Sequence, residues 1–292
     1  MNAMWSAMGR LRRTCVSPRP DGLCFASARR PVLRASQNGR RVVVAIVVMA
    51  LAAATAYGAN RDKLPTDTFK AGKGKTLEIS FIRHGSLALN YDGKVIYVDP
   101  VANFKPMSDY TVDYSTLDKA DIILITHAHQ DHLDPAVIKT LSKPGTQVIC
   151  NGQSADTLGY GDVMRNGDTR KEGSWLTLTA VPAHNTTPGR EMFHPANGRD
   201  NGYVLEFPGL RLYISGDTEV VPDVVCDPKK PVDVAFISMN QPYTMTPQQA
   251  ADQARKLKPK VLYPYHFGDS DTALLVKLLE GSGIDVRIRQ MQ

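Results

Sequence analysis

The sequence predicts a layered α/β domain over residues 76–292, two sheets with helices outside them. Three observations carry that reading. Short strand-like segments come in quick succession through the first part of this region. The run Asp121–Thr126 is continuously apolar between its two end residues, as in a strand covered on both faces. Strands alternate with capped helices in the last part. Composition agrees, since 42% hydrophobic and 22% charged side chains over 292 residues is ordinary for a globular chain.

The elements follow in order. Residues 57–75 are polar and read as a linker closed by Gly72, Lys73, Gly74 and Lys75. Leu77–His84 is the first strand. Ser86–Tyr91 and Lys94–Val98 form a hairpin on the turn pair Asp92-Gly93. Asp121–Thr126 is followed by an Asp134-Pro135 helix start, an N-cap with proline at the first helical position, for a helix to about Leu141. Val148–Cys150, Trp175–Val181, Tyr203–Phe207, Leu212–Ser215, Val234–Ser238, Val261–Tyr263 and Val286–Ile288 are further strands. Thr246-Pro247-Gln248-Gln249 is a capping box opening a helix to Leu257, and a last helix covers about Asp271–Leu279. No internal repeat is evident.

Residues 1–56 stand apart. They hold nine arginines, no lysine and one acid, Asp21. Of the chain's 35 basic and 29 acidic side chains, 26 and 28 then remain for residues 57–292. The basic balance therefore belongs to the leading segment, and a nucleic-acid partner, which no longer has that charge behind it, is not expected. A basic lead, the apolar stretch from Val42 to Leu51 and the small-residue ending Ala54-Thr55-Ala56 read as a secretory signal cut near Tyr57. An inner-membrane anchor through residues 42–57 is the alternative, although no apolar run reaches the ~20 residues of a confident span. Export implies an oxidising compartment, a bacterial periplasm. Of the four cysteines only Cys150 and Cys226 follow the signal, and two so far apart are read as unpaired.

All seven histidines lie after residue 83. Thr126-His127-Ala128-His129-Gln130-Asp131-His132 directly follows the buried strand. Residues two apart in an extended segment face the same way, so His127 and His129 point to one side. Asp131 and His132 can turn toward a neighbouring position, and four ligand-type side chains in six residues suit a pair of metal ions. His184, Asp217 and His266 each follow an apolar strand, where layered folds assemble active sites. His84 ends the first strand and either faces the site or is a satisfied structural histidine. His194 sits in the Gly-, Pro- and Asn-rich stretch 189–202, a substrate loop or, on the plainer reading, solvated surface. Tyr243 either lines the pocket or packs in the core.

The order H-x-H-x-D-H, then His184, then Gly216-Asp217-Thr218, then His266 resembles the metallo-β-lactamase superfamily, over most of residues 76–289. Val98-Asp99-Pro100 matches its first motif. The sequences around Asp99, His127, Asp217 and Tyr243–Pro247 are most similar to the L-ascorbate-6-phosphate lactonase-like group, and more distantly to N-acyl-phosphatidylethanolamine phospholipase D. The resemblance implies an αββα sandwich with the metal site at one edge. It implies that His127, His129 and His184 hold one ion, that Asp131, His132 and His266 hold the other, and that Asp217 bridges them. Asp99 would hydrogen-bond a ligand histidine; otherwise it is a turn residue. Zinc β-lactamases of the common type use a Cys where this chain has Asp217, which points away from antibiotic hydrolysis and toward ester, lactone or phosphodiester chemistry.

Two close cations lower the pKa of a bridging water, giving a hydroxide that Asp131 orients and whose proton it can accept. With N and O ligands only, zinc is the preferred ion, with manganese or iron as alternatives. The expected partner is a small-molecule or lipid-like substrate. The rivals are a redox member of the same fold, a sulfur dioxygenase or diiron type, and a non-catalytic protein stabilised by its metals.

Overall fold

The computed structural model describes residues 64–72, 74–103 and 112–291. The expected signal in residues 1–56 lies outside them.

Among the described residues, two seven-stranded sheets account for every strand. The first contains β1 (Thr66–Lys70), β2 (Thr76–Arg83), β3 (Ser86–Tyr91), β4 (Lys94–Val98), β5 (Ile122–Leu124), β6 (Gln147–Cys150) and β7 (Asp162–Val163), adjacent in that order. The second contains β8 (Thr169–Glu172), β9 (Leu176–Ala183), β10 (Asp200–Phe207), β11 (Leu210–Ile214), β12 (Val234–Ser238), β13 (Val261–Tyr265) and β14 (Asp285–Val286), again in chain order. In each sheet the first four strands are antiparallel, and the fourth begins a parallel run to the seventh. The two halves thus repeat one topology that residue-level similarity does not reveal.

Parallel neighbours need crossovers. Among the described residues, four α-helices supply four of the six, and the β4–β5 and β11–β12 crossovers carry only the short 3-10 turns Tyr114–Thr116 and Asp223–Val225. α1 (Pro135–Leu141) links β5 to β6, and α2 (Gly152–Leu158) links β6 to β7. α3 (Pro247–Leu257) links β12 to β13, and α4 (Thr272–Leu278) links β13 to β14. Among the described residues no helix is long and apolar enough to cross a membrane.

The capping logic holds in detail. Asp134 accepts from the Ala136 and Val137 amides at the start of α1, and Thr246 and Gln249 form the reciprocal box that opens α3. α3 turns Ala250, Ala251, Ala254 and Leu257 onto Ala235, Ile237 and Leu262 of the second sheet. α1 lays Val137, Ile138 and Leu141 on Ile123, Ile125 and Val148 of the first. The main core lies between the sheets, where Phe81 of β2 meets Phe236 and Tyr263 with ring centroids 6.1 and 5.0 Å away. Each large apolar side chain buried there contributes roughly 1.5–3 kcal/mol. This is an αββα sandwich.

One expectation needs correction. Residues 57–75 are not a linker throughout, because Thr66–Lys70 pairs antiparallel with β2. This edge strand has a single large apolar residue, Phe69, packed on the core, and so lacks the apolar run that marks the inner strands. Gly72 and Lys75 are hydrogen-bonded to each other across its turn. Cys150 and Cys226 are both free.

Candidate metal centre

The site grows from strand ends. His84 follows β2, Asp99 follows β4, Asp217 lies just beyond β11 and His266 just beyond β13. After β5 the chain runs extended through Thr126 and His127, then tightens into a turn in which the His132 and Leu133 amides donate to the His129 carbonyl. The turn separates the first two histidines from Asp131 and His132. His127 Nε2 lies 3.0 Å from His129 Nδ1 on one side. On the other, Asp131 Oδ2 is approached by His84 Nε2 at 3.1 Å, His266 Nε2 at 3.3 Å and His132 Nε2 at 3.8 Å.

Asp99 holds the centre of this arrangement. Fully buried, its carboxylate accepts from the Thr126 amide at 2.8 Å and the Thr126 hydroxyl at 2.7 Å, and meets His132 Nδ1 at 2.8 Å. A ligand histidine oriented through one nitrogen offers the other outward. His132 Nε2 is accordingly buried with no hydrogen-bond partner. The expected role of Asp99 against a histidine matches this geometry.

The same device recurs around His194. It is 1% exposed, not solvated, and its Nδ1 lies 3.0 Å from Asp200 Oδ2. Arg199 fixes Asp200 from outside, Nε to Oδ1 at 2.7 Å. The His194 ring stands 5.0 Å from that of His127 and 4.9 Å from that of His129, centroid to centroid.

His194, not His184, therefore joins His127 and His129. The strand β9 runs on to Ala183, and the chain then loops out and back, with the Asn185 amide donating to the His194 carbonyl at 2.8 Å. That return carries His194 into the centre. His184 is half-buried and works through its backbone, exchanging hydrogen bonds with the Thr218 hydroxyl at 3.0 and 2.8 Å. Its ring belongs to none of the metal-ligating groups among the described residues. Only the return of the loop brings His194 to the site, and spacing along the chain gives no sign of it.

Asp217 lies between the two sets. Its Oδ2 is 3.5 Å from His194 Nε2 and 3.3 Å from His266 Nε2, and its Oδ1 is 3.6 Å from His132 Nε2. Three groups of potential ligands result: His127, His129 and His194; His84, Asp131, His132 and His266; and His127, His132 and Asp217.

The electrostatics suit cations. Burial pushes His127 well below the ordinary histidine range, and neighbouring imidazoles add to it, which favours the neutral ring with one nitrogen lone pair for a metal. Burial and Asp217 act oppositely on His132; Asp217, Asp131 and Asp99 together prevail and push it up to about 10. Carboxylates that favour an imidazolium also favour a divalent cation. Asp217 Oδ1 is also buried without a hydrogen-bond partner. Two orphaned buried atoms, His132 Nε2 and Asp217 Oδ1, in a set of nitrogen and oxygen donors fit divalent metal.

Backbone strain concentrates here. Of the five described non-glycine residues in the left-handed region, His84 (φ 47°), Asp99 (φ 42°) and His266 (φ 48°) are in the site. Such residues persist only where their surroundings over-determine them. Tyr243 is 45% exposed, outside the core, and its ring packs edge-on against Phe193 at 5.0 Å.

Residues 78–266 match the beta-lactamase superfamily domain. The chain belongs to the metallo-β-lactamase superfamily. A UPF0173 metal-dependent hydrolase of Thermus thermophilus is 32% identical over 197 residues, 65% of this chain and 84% of that protein. A crystal structure from Parabacteroides distasonis, bearing the general name of metal-dependent hydrolase, is 53% identical, with a TM-score of 0.73 over 79% of this chain and 100% of that one. The metallo hydrolase Igni18 of Ignicoccus hospitalis shares the fold at 23% identity and a TM-score of 0.61, over 74% of this chain and 95% of its own. The chain is accordingly a hydrolase of this superfamily.

Proposed function

We propose that the protein is an exported, dinuclear metal-dependent hydrolase acting on an ester, lactone or phosphodiester. The position of Asp217 carries the reading: one carboxylate lies within 3.6 Å of imidazoles from both ligand sets. His127, His129 and His194 would hold one ion, Asp131, His132 and His266 the other, with Asp217 shared. Two divalent cations held there, zinc first and manganese or iron next, supply Lewis acidity and a water acidic enough to give a nucleophile near neutral pH.

The chain's own residues do the rest. Asp99 and Asp200 fix two of the three imidazoles that flank Asp217, His132 and His194. Asp131, the most open carboxylate of the cluster at 17% side-chain exposure, orients the attacking water. Burial would raise its pKa, but His132, His266 and His84 hold it far below the ordinary carboxylate range. An oxygen at position 217, where a thiolate would suit the antibiotic hydrolases, favours oxygen-ester substrates. The likeness to the lactonase-like group supports an ester-type reaction; export argues against a cytosolic sugar phosphate.

Asp217→Asn tests the reading. Metals should bind more weakly, and because misplacement of about 1 Å can cost on the order of 10²-fold in rate, hydrolysis of the best substrate in a panel of lactones, esters and phosphodiesters should fall at least that far. Unchanged turnover would refute the shared carboxylate. N-terminal sequencing of envelope protein tests export; full-length protein confined to the cytosol would refute it.

A further inference from the structure

The loop that carries His194 into the centre is held by a carboxylate outside the metal site. Glu219 follows Asp217 by two residues, is 2% exposed and belongs to none of the metal-ligating groups among the described residues. Its Oε2 accepts from the Thr186 amide at 2.8 Å and the Thr187 amide at 2.6 Å, and its Oε1 accepts from Arg190 Nη1 at 3.1 Å. Its own amide donates to the His184 carbonyl at 3.0 Å. A buried carboxylate is costly unless its oxygens are partnered, and bonds from amides and a guanidinium to an ionised oxygen are the strong kind. Here all three side-chain bonds come from the outgoing limb of the loop.

The hold reaches His194 through successive turns. The Arg190 amide donates to the Thr187 carbonyl at 2.9 Å, and the Phe193 amide to the Arg190 carbonyl at 3.1 Å. His194 follows, and its carbonyl accepts from the Asn185 amide at 2.8 Å, which closes the loop. Asn185, 1% exposed, also donates its side chain to the Arg190 carbonyl at 3.2 Å. Thr186, Pro188, Gly189, Glu191 and Met192 are exposed, so hydrogen bonds rather than burial of apolar surface set the loop's path.

We infer that Glu219 is a positioning residue, which latches the 185–194 loop to the segment bearing Asp217 and so sets the place of His194 in the first ligand set. Asp200 fixes the rotation of the His194 ring, and Glu219 fixes where the backbone delivers it, 3.5 Å from Asp217 Oδ2. The inference rests on the assignment of His194 to that set. Glu219→Ala removes the latch. Glu219→Gln keeps a carbonyl oxygen for the two amides and gives up the pairing with Arg190. Glu219→Asp keeps the charge but is one methylene short.

The experiment titrates the full chain with cobalt(II), in the wild-type and His194→Ala backgrounds. It reads ions bound per chain, affinity by chelator competition and the visible absorption of the bound ion. Glu219→Ala should weaken one of two ions on the order of 10-fold and alter its absorption, with Glu219→Gln recovering most of the affinity. In His194→Ala, which keeps only the other ion, adding Glu219→Ala should change neither affinity nor spectrum. Wild-type affinity and absorption in Glu219→Ala, beside a lost ion in His194→Ala, would overturn the inference and leave the ligand assignment standing. Equal loss in Glu219→Ala and Glu219→Gln would overturn it, because the two amides would then not be what holds the loop. Weakening of both ions, or a further loss in the His194→Ala background, would overturn it in favour of an effect through Asp217. Should Glu219→Ala fail to fold, one weakened ion in Glu219→Asp supports the inference and wild-type affinity there overturns it. Two unweakened ions in His194→Ala, or no ion in wild type, would refute the assignment and the inference together. One ion in wild type refutes the dinuclear reading; the inference then stands if Glu219→Ala and His194→Ala each weaken that ion without adding to one another, and falls otherwise.

Discussion

A buried carboxylate that holds an imidazole by Nδ1 decides where the imidazole's other nitrogen goes. Asp99 does this for His132 and Asp200 for His194, at 2.8 and 3.0 Å. Removing such a support commonly costs 10- to 100-fold in metal affinity or activity. Asp99→Ala should therefore weaken metal by about that factor while all proposed ligands remain, which isothermal titration would read. Undiminished affinity would show that the pair serves folding alone. Most of this chemistry is legible in the residues. His127, His129, Asp131, His132, Asp217 and His266 come together as the H-x-H-x-D-H pattern and the strand ends suggest. The exchange of His194 for His184 is not legible, because it depends on how a Gly- and Pro-rich loop returns. Spacing along the chain carries no record of that path.

At the scale of elements, regular periodicity and caps make most boundaries readable, and polarity hides the rest. β3, β4 and β12 stand where their apolar runs begin and end, and α1 and α3 start at their caps. β1 and β8 are edge strands with alternating exposure and no apolar run. α2 carried an unread signal, the Asn151 cap and the left-handed Gly159 at its end. Gly216, just before Asp217, is at φ +61°, and a Cβ there would lie 2.6 Å from the Asn201 carbonyl oxygen. Gly216→Ala should thus destabilise by about 1–3 kcal/mol, visible as a lower Tm, and should weaken metal through Asp217. A Tm equal to wild type would contradict the close approach.

The edge strand also carries a pH dependence. Burial raises the Asp67 pKa, but hydrogen bonds from Tyr263 and Arg289 outweigh it and hold the carboxyl below its ordinary value of 3.8. Its contribution is present above that unfolded value and is lost as pH falls through the lower folded one. Asp67→Asn should therefore lower stability at neutral pH, with the difference from wild type shrinking in acid below about pH 4. Denaturant unfolding at both pH values measures this. A difference that grows in acid would reverse the sign.

For the whole molecule, fold and site are separable. The core between the sheets and the two helix-covered faces form three buried apolar clusters. Chelation should therefore leave far-UV circular dichroism unchanged while lowering Tm. Metal at 100 times its Kd adds about 2.7 kcal/mol per independent site, and that support is what removal takes away. Loss of secondary structure on chelation would instead favour metals as structure. The central claim is that two ions share Asp217, with His194 completing the first set. Its most direct test is metal content per chain after saturation and desalting, in wild type, His194→Ala and His184→Ala. The account predicts two ions in wild type, two in His184→Ala and one in His194→Ala. One ion in wild type, or a loss in His184→Ala with none in His194→Ala, would contradict it.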